Sequence, residues 1–327
     1  MGKRDAPPDG APRPLPDPTV LAGVGIEEGA EDGASGLPGR LERYGKARRR
    51  AKAVLHHLRD LDNGQTGPSP ATNARRAAAR LERCGEWLLF RHYWTVDKVR
   101  LHGAEFCKQH MLCQLCAVRR AAKQLGAYLD RLEALRPEIG DHPRLALMTY
   151  TVKNGPDLLE RMAHLRKGLR TLSERRRAIR KGNRGSSEWG AIAGAVGTLE
   201  VTNRGRGWHP HAHMIVVLDR WLDQAALSAE WRSITGDSFV VGISRLDPSR
   251  PIAEGFAEVF KYALKFSDLT PSQIWTAASE LAGQRLLFSL GCFRGVEVPE
   301  ELTDEPLDDL PYVEWLYRYL DGAGYTM

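Results

Sequence analysis

The sequence predicts an α+β protein: a ferredoxin-like antiparallel sheet packed by helices, preceded by a helical region stapled by cysteines. Three observations lead there. Between residues 145 and 266 the apolar pattern runs strand, helix, strand, strand, helix, strand, helix. His209, His211 and His213 crowd into the third of those strands. Four of the five cysteines precede residue 120, three of them inside CKQHMLCQLC.

The elements follow in order. Residues 1–38 are rich in Pro, Gly, Asp and Ala, and are expected to be a disordered tail. Apolar residues at helical spacing predict helices over 41–61 and 73–90, separated by a Gly/Ser/Pro loop at 63–70. After the cysteines, Leu125, Leu129, Leu132 and Leu135 mark another helix, opened by Arg119 and Arg120. LALMTYTV at 145–152 reads as a buried strand, and Leu158, Met162, Leu165, Leu169 and Leu172 as the buried stripe of a helix ending near Gly182. Strands at 195–202 and 209–218 flank the polar turn NRGRG, and a strand at 238–243 precedes a helix over 251–266. This order buries one sheet face under helices and leaves the other open, with the histidine strand central. The expected division is a tail over 1–38, a helical cysteine-containing region over 39–140, a sheet domain over 141–295 and an acidic C-terminal segment over 296–327.

Bulk properties narrow the function class. Hydrophobic residues make up 42% and charged residues 27%, near the averages of a folded globular protein. The formal charge of +6, with arginine runs at 48–50, 75–76 and 175–177, favours polyanionic partners. No stretch reads as a membrane span or secretory signal, and the cysteine pattern fits a metal site better than disulfides, so a cytoplasmic location is expected.

His211 and His213 are two apart on a strand and so face the same way. If the turn centres on Gly205-Arg206, Glu200 lies opposite His211 and Thr202 opposite His209. Two imidazoles and a carboxylate with open positions suit Mg²⁺ or Mn²⁺. His209 is left either to contact DNA or to support the site. On the last helix Glu258 lies four residues before Tyr262, and Lys265 three after it. A phenol with a pKa near ~10 is a weak nucleophile unless its target is electron-poor and positive charge is close. Spacing alone favours an ordinary amphipathic helix with a Glu–Lys pair and a surface tyrosine; the helix's place after the histidine hairpin favours the nucleophile. Cys107, Cys113 and Cys116 form C-x₅-C-x₂-C, a zinc pattern, with Cys84 the expected fourth ligand and His110 the alternative.

LALMTYTVKN, LEVTNRGRGWHPHAHMIVVL, EVFKYALKFSD and GQRLLFSLGCFRG, in this order, resemble the motifs of the HUH endonuclease superfamily, and more closely the plasmid rolling-circle replication initiators of the Rep_1 type. Ala212 departs from that pattern, being smaller than the aromatic often found between the two histidines. The resemblance covers about residues 84–295. It implies that Tyr262 nicks origin DNA through a 5′-phosphotyrosine, that Glu258 assists termination, and that Glu200, His211 and His213 hold the catalytic ion. It also implies plasmid double-strand origin DNA as substrate and a host helicase and polymerase as partners, and the cysteine region with the basic helix opened by Arg119 and Arg120 is expected to contact that DNA. Two rival readings use less of the sequence. A histidine-triad nucleotide hydrolase or transferase needs neither the tyrosine helix nor the cysteines, and a non-catalytic zinc-containing DNA-binding regulator leaves the histidine hairpin idle.

Overall fold

The computed structural model describes residues 33–61, 74–140, 143–247, 249–260 and 268–327. Two helices come first, α1 (Leu37–Asp60) and α2 (Ala74–Arg83). The helix expected to run to residue 90 stops at Arg83. Gly85, at φ +69°, ends it, and the alternating burial of WLLFRHY then suits a strand. That strand, β1 (Trp87–Tyr93), forms a hairpin with β2 (Lys98–Ala104), so the cysteine-containing region is not purely helical.

Helix α3 (Gln114–Ala134) and the short α4 (Arg136–Ile139) lead to β3 (Arg144–Thr151). Helix α5 (Leu158–Arg180) follows, its start capped by Asp157, whose carboxylate accepts from the Glu160 amide at 2.8 Å. Then come β4 (Ile192–Thr202), β5 (His209–Leu218), α6 (Gln224–Thr235), β6 (Val241–Arg245) and α7 (Ile252–Phe260). Helix α8 (Pro271–Glu280), opened by a Thr270/Gln273 capping box, and β7 (Leu287–Gly291) complete this half.

The five strands order β6-β3-β5-β4-β7, all antiparallel, with the histidine strand β5 at the centre as expected. The sheet gains a fifth strand, β7, beyond the four of the simple motif. Period-two alternation sorts its residues. Met148, Tyr150, Leu199, Ala212, Met214 and Val216 pack in one core with Leu165, Leu172 and Trp231 of α5 and α6. Val196, Ile215 and Val217 point the other way, into a second core with α3 and α7. The face expected to be open is therefore covered at one end, because α7 carries Phe256, Val259 and Phe260 on a single apolar stripe that needs burial. Tyr128 of α3 stacks on Phe260 at 5.3 Å.

The acidic C-terminal segment is built into the fold. Strand β8 (Val313–Leu320) pairs with β1, and β9 (Gly324–Thr326) with β8, giving a second sheet in the order β2-β1-β8-β9. The boundary expected at residue 296 thus separates two strands of one sheet. Among the described residues no helix is long and apolar enough to cross a membrane.

Candidate metal centre

Gly205 and Gly207, at φ +82° and +89°, turn the chain between β4 and β5, and the Asn203 side chain accepts the Gly205 amide at 3.1 Å. The turn fixes the register: Glu200 faces His211 and Thr202 faces His209, as the hairpin count predicts. Glu200, His211 and His213 share the sheet face that α7 covers only in part. His213 Nε2 stands 3.4 Å from Glu200 Oε2, and His211 Nε2 stands 3.8 Å from Glu200 Oε1. The three ligand atoms lie within 4.8 Å of one another, so the group can hold a metal ion.

Thr149 of β3 lies opposite His213 across the strands, and its hydroxyl is 3.0 Å from His213 Nδ1. That contact turns Nε2 toward Glu200. Sequence reasoning missed Thr149, since the β3–β5 register is set by pairing between distant segments rather than by a turn. His209 shares the face, its ring 4.8 Å from that of His211, but it stands outside the converging group. Burial lowers its pKa, as does Arg204 nearby.

Two contacts tie neighbouring segments to this hairpin. Thr198, two residues before Glu200, donates to the Val259 carbonyl at 2.5 Å and pins the end of α7 to β4. Arg204, in the turn, grips Asp268 with Nε at 3.0 Å and Nη2 at 2.6 Å. Glu258 is half-buried on α7. Tyr262 and Lys265 lie outside the described residues.

The cysteine cluster forms from four separate places. Cys84 follows α2, Cys107 follows β2, Cys113 caps α3 and Cys116 sits in its first turn. All four are buried, with Cys84 Sγ 3.5 Å from both Cys113 and Cys116, and Cys107 Sγ 3.6 Å from Cys116. These separations are far too long for disulfides. They approach the roughly 3.8 Å edge of a tetrahedron whose centre lies about 2.3 Å from each sulfur, as in zinc–thiolate sites. The Cys107 amide also points at Cys84 Sγ, at 3.3 Å. Hydrogen bonds from the neighbouring cysteines hold the Cys84 thiol well below its usual range. His110 is not in the cluster, and its Nδ1 faces the Cys116 carbonyl at 3.3 Å. Cys292 stands apart from these four, against the second core.

Arg119, expected on a DNA-binding face, is instead buried. It bonds the Leu302 carbonyl at 2.7 Å and the Tyr44 hydroxyl at 2.8 Å, and ion-pairs with Asp304. Arg48 and Arg176 of the arginine runs are likewise buried, each on backbone carbonyls. Helix spacing hides this, because a buried arginine and a solvated one look alike until their partner arrives from elsewhere in the chain.

The profile of the Rep_1 family, described as replication protein, matches residues 98–314. A Protein rep from Bacillus amyloliquefaciens is 26% identical over 197 residues, covering 57% of this chain and 52% of that protein. Another, from Bacillus sp, is 25% identical over 167 residues, covering 48% of this chain and 50% of that protein. The chain spans about half the length of the curated relatives it matches. No solved structure matches. Since the family profile takes in more than half of the sequence, including the whole histidine hairpin, the chain belongs to the Rep_1 family of replication proteins.

Proposed function

We propose that the protein is a plasmid rolling-circle replication initiator that nicks and rejoins one strand of origin DNA. The observation that carries this reading is the convergence of Glu200, His211 and His213 beside both tied ends of the tyrosine segment: Val259 is held by Thr198 and Asp268 by Arg204. Chain connectivity runs residues 261–267 between those two ties, which supports Tyr262 working at the triad. The donor set, two imidazoles and one carboxylate, fits Mg²⁺ or Mn²⁺. Such an ion, when bound, would polarise the scissile phosphate.

In this reaction the phenolic oxygen of Tyr262 bonds to phosphorus and the bond from phosphorus to the 3′ oxygen breaks. The leaving oxygen takes a proton to become the 3′ hydroxyl, while the 5′ phosphate stays esterified to the tyrosine. Lys265, three residues on, offsets the phosphate charge. Glu258, four residues before Tyr262, takes the proton from water in the terminating cleavage. The freed 3′ hydroxyl primes a host polymerase, with a host helicase opening the duplex. The four cysteines hold a structural Zn²⁺ that fixes the start of α3.

Incubation with single-stranded origin DNA and Mn²⁺ should yield a covalent peptide–nucleotide adduct, visible by mass spectrometry on the tyrosine peptide. Tyr262→Phe should abolish it and leave DNA binding near normal. An adduct that persists in that variant removes Tyr262 from the chemistry.

A further inference from the structure

Behind the metal-bearing face, four arginines border a cavity of about 300 Å³. Arg166 and Arg170 come from one face of α5, and Arg285 and Arg294 flank β7. No carboxylate lines this cavity, and among the described residues none of the four arginines has an ion-pair partner. Arg166 is half-buried. Its Nε is buried without a hydrogen-bond partner, while its Nη2 reaches only the Arg285 carbonyl, at 2.9 Å. Burial lowers its pKa with no opposing charge to offset the effect. A guanidinium kept in that setting is stabilised by an incoming anion.

The remaining wall is apolar, formed by Leu169, Leu199 and Phe288. The Phe288 ring lies over Gly197 of β4, where a Cβ would come within 2.5 Å of it. Cations beside an aromatic ring, in a space of nucleotide size, match the way single strands are held without sequence readout. Arg285, Leu287, Phe288 and Ser289 also line a larger groove of about 750 Å³, which extends to Thr198 on the metal-bearing side. The two spaces meet at β7, the edge strand of the sheet.

We propose that single-stranded DNA engaged at the metal centre continues over the β7 edge and seats a nucleotide in this pocket, phosphates on the arginines and a base against Phe288. The path rests on the DNA-nicking reading, but occupancy of the pocket can be measured without cleavage.

The test uses full-length protein carrying His211→Ala, which removes nicking, and labelled oligothymidylates of about 6 and about 20 nucleotides, bracketing common site sizes. Arg170 and Arg294 are both exposed, so replacing them with alanine leaves the core intact. In anisotropy titrations that double variant should bind the long oligonucleotide about tenfold more weakly. Its salt slope should fall by about 1.4, at about 0.7 per phosphate. The short oligonucleotide should bind as before. Phe288→Leu should weaken the long oligonucleotide with its salt slope unchanged. Unaltered affinity for the long oligonucleotide overturns the proposal. So does an equal loss at both lengths, or polyglutamate competing as well as DNA. Because nicking is absent throughout, a wrong assignment of Tyr262 leaves these outcomes intact.

Discussion

His213 is oriented by one hydroxyl, and we propose that its use as a ligand depends on that contact. With the Thr149 hydroxyl, 3.0 Å from Nδ1, as acceptor of the ring proton, the Nε2 lone pair would be left for an ion shared with Glu200. Thr149→Val keeps the shape and removes the acceptor. Its Mn²⁺ affinity, followed by titration, should fall about 10–100-fold. Equal affinity would show that strand geometry alone aims the ring. Glu200→Gln should remove Mn²⁺ binding and DNA cleavage together, since it withdraws the carboxylate of the group. The partnership of Glu200 with His211 was legible in the sequence because a short turn joins their strands and sets the count. That of Thr149 with His213 was not, because 64 residues separate them and the pairing register has no local signal.

At the scale of elements, one carboxylate locks four segments. Asp304 accepts from Arg40 of α1 at 2.5 Å and from the Leu101 amide of β2 at 2.6 Å, and pairs with Arg119 of α3. Tyr44 bridges the two arginines through its hydroxyl, at 3.1 and 2.8 Å. The arginines hold the Asp304 pKa well below the ordinary carboxylate range, against the opposing effect of burial. Asp304→Ala leaves two buried guanidiniums without their counter-charge and should cost about 3–5 kcal/mol in denaturant unfolding. The pH dependence follows from the depressed pKa. Asp304's contribution is complete above the ordinary carboxylate value near ~3.9, and is lost as pH falls toward its folded value. Thermal stability of the native protein should therefore drop more steeply below about pH 4 than that of Asp304→Asn, as seen in melts across that range. Arg119→Ala should likewise unfold the protein more easily rather than selectively weaken DNA binding. The hydrophobic stripes of α5 and α7 were readable because 3.6-residue spacing survives translation into structure. The partner of Arg119 was not, since it arrives from 185 residues away.

Over the whole molecule, the C-terminal strands and the cysteine-containing region close one unit. The last strands complete the sheet begun by β1 and β2, and Tyr325 donates to the Gly85 carbonyl at 2.7 Å, beside Cys84. Removing residues 311–327 should therefore lower zinc content and cooperative unfolding of the cysteine region, measured by metal analysis and calorimetry. Retained zinc with a single sharp transition would show the C-terminal strands to be dispensable. Helix α3 starts among the cysteines and lays Tyr128 on Phe260, the last described residue before the tyrosine segment. Unseating the sulfur cluster would thus shift the platform that α3 offers to the end of α7. With both proposed sites filled, loss of the proposed cleavage after treatment with a strong chelator would report on two ions at once. Only restoration by Mn²⁺ alone, with the cysteines kept loaded, isolates the one beside the histidines.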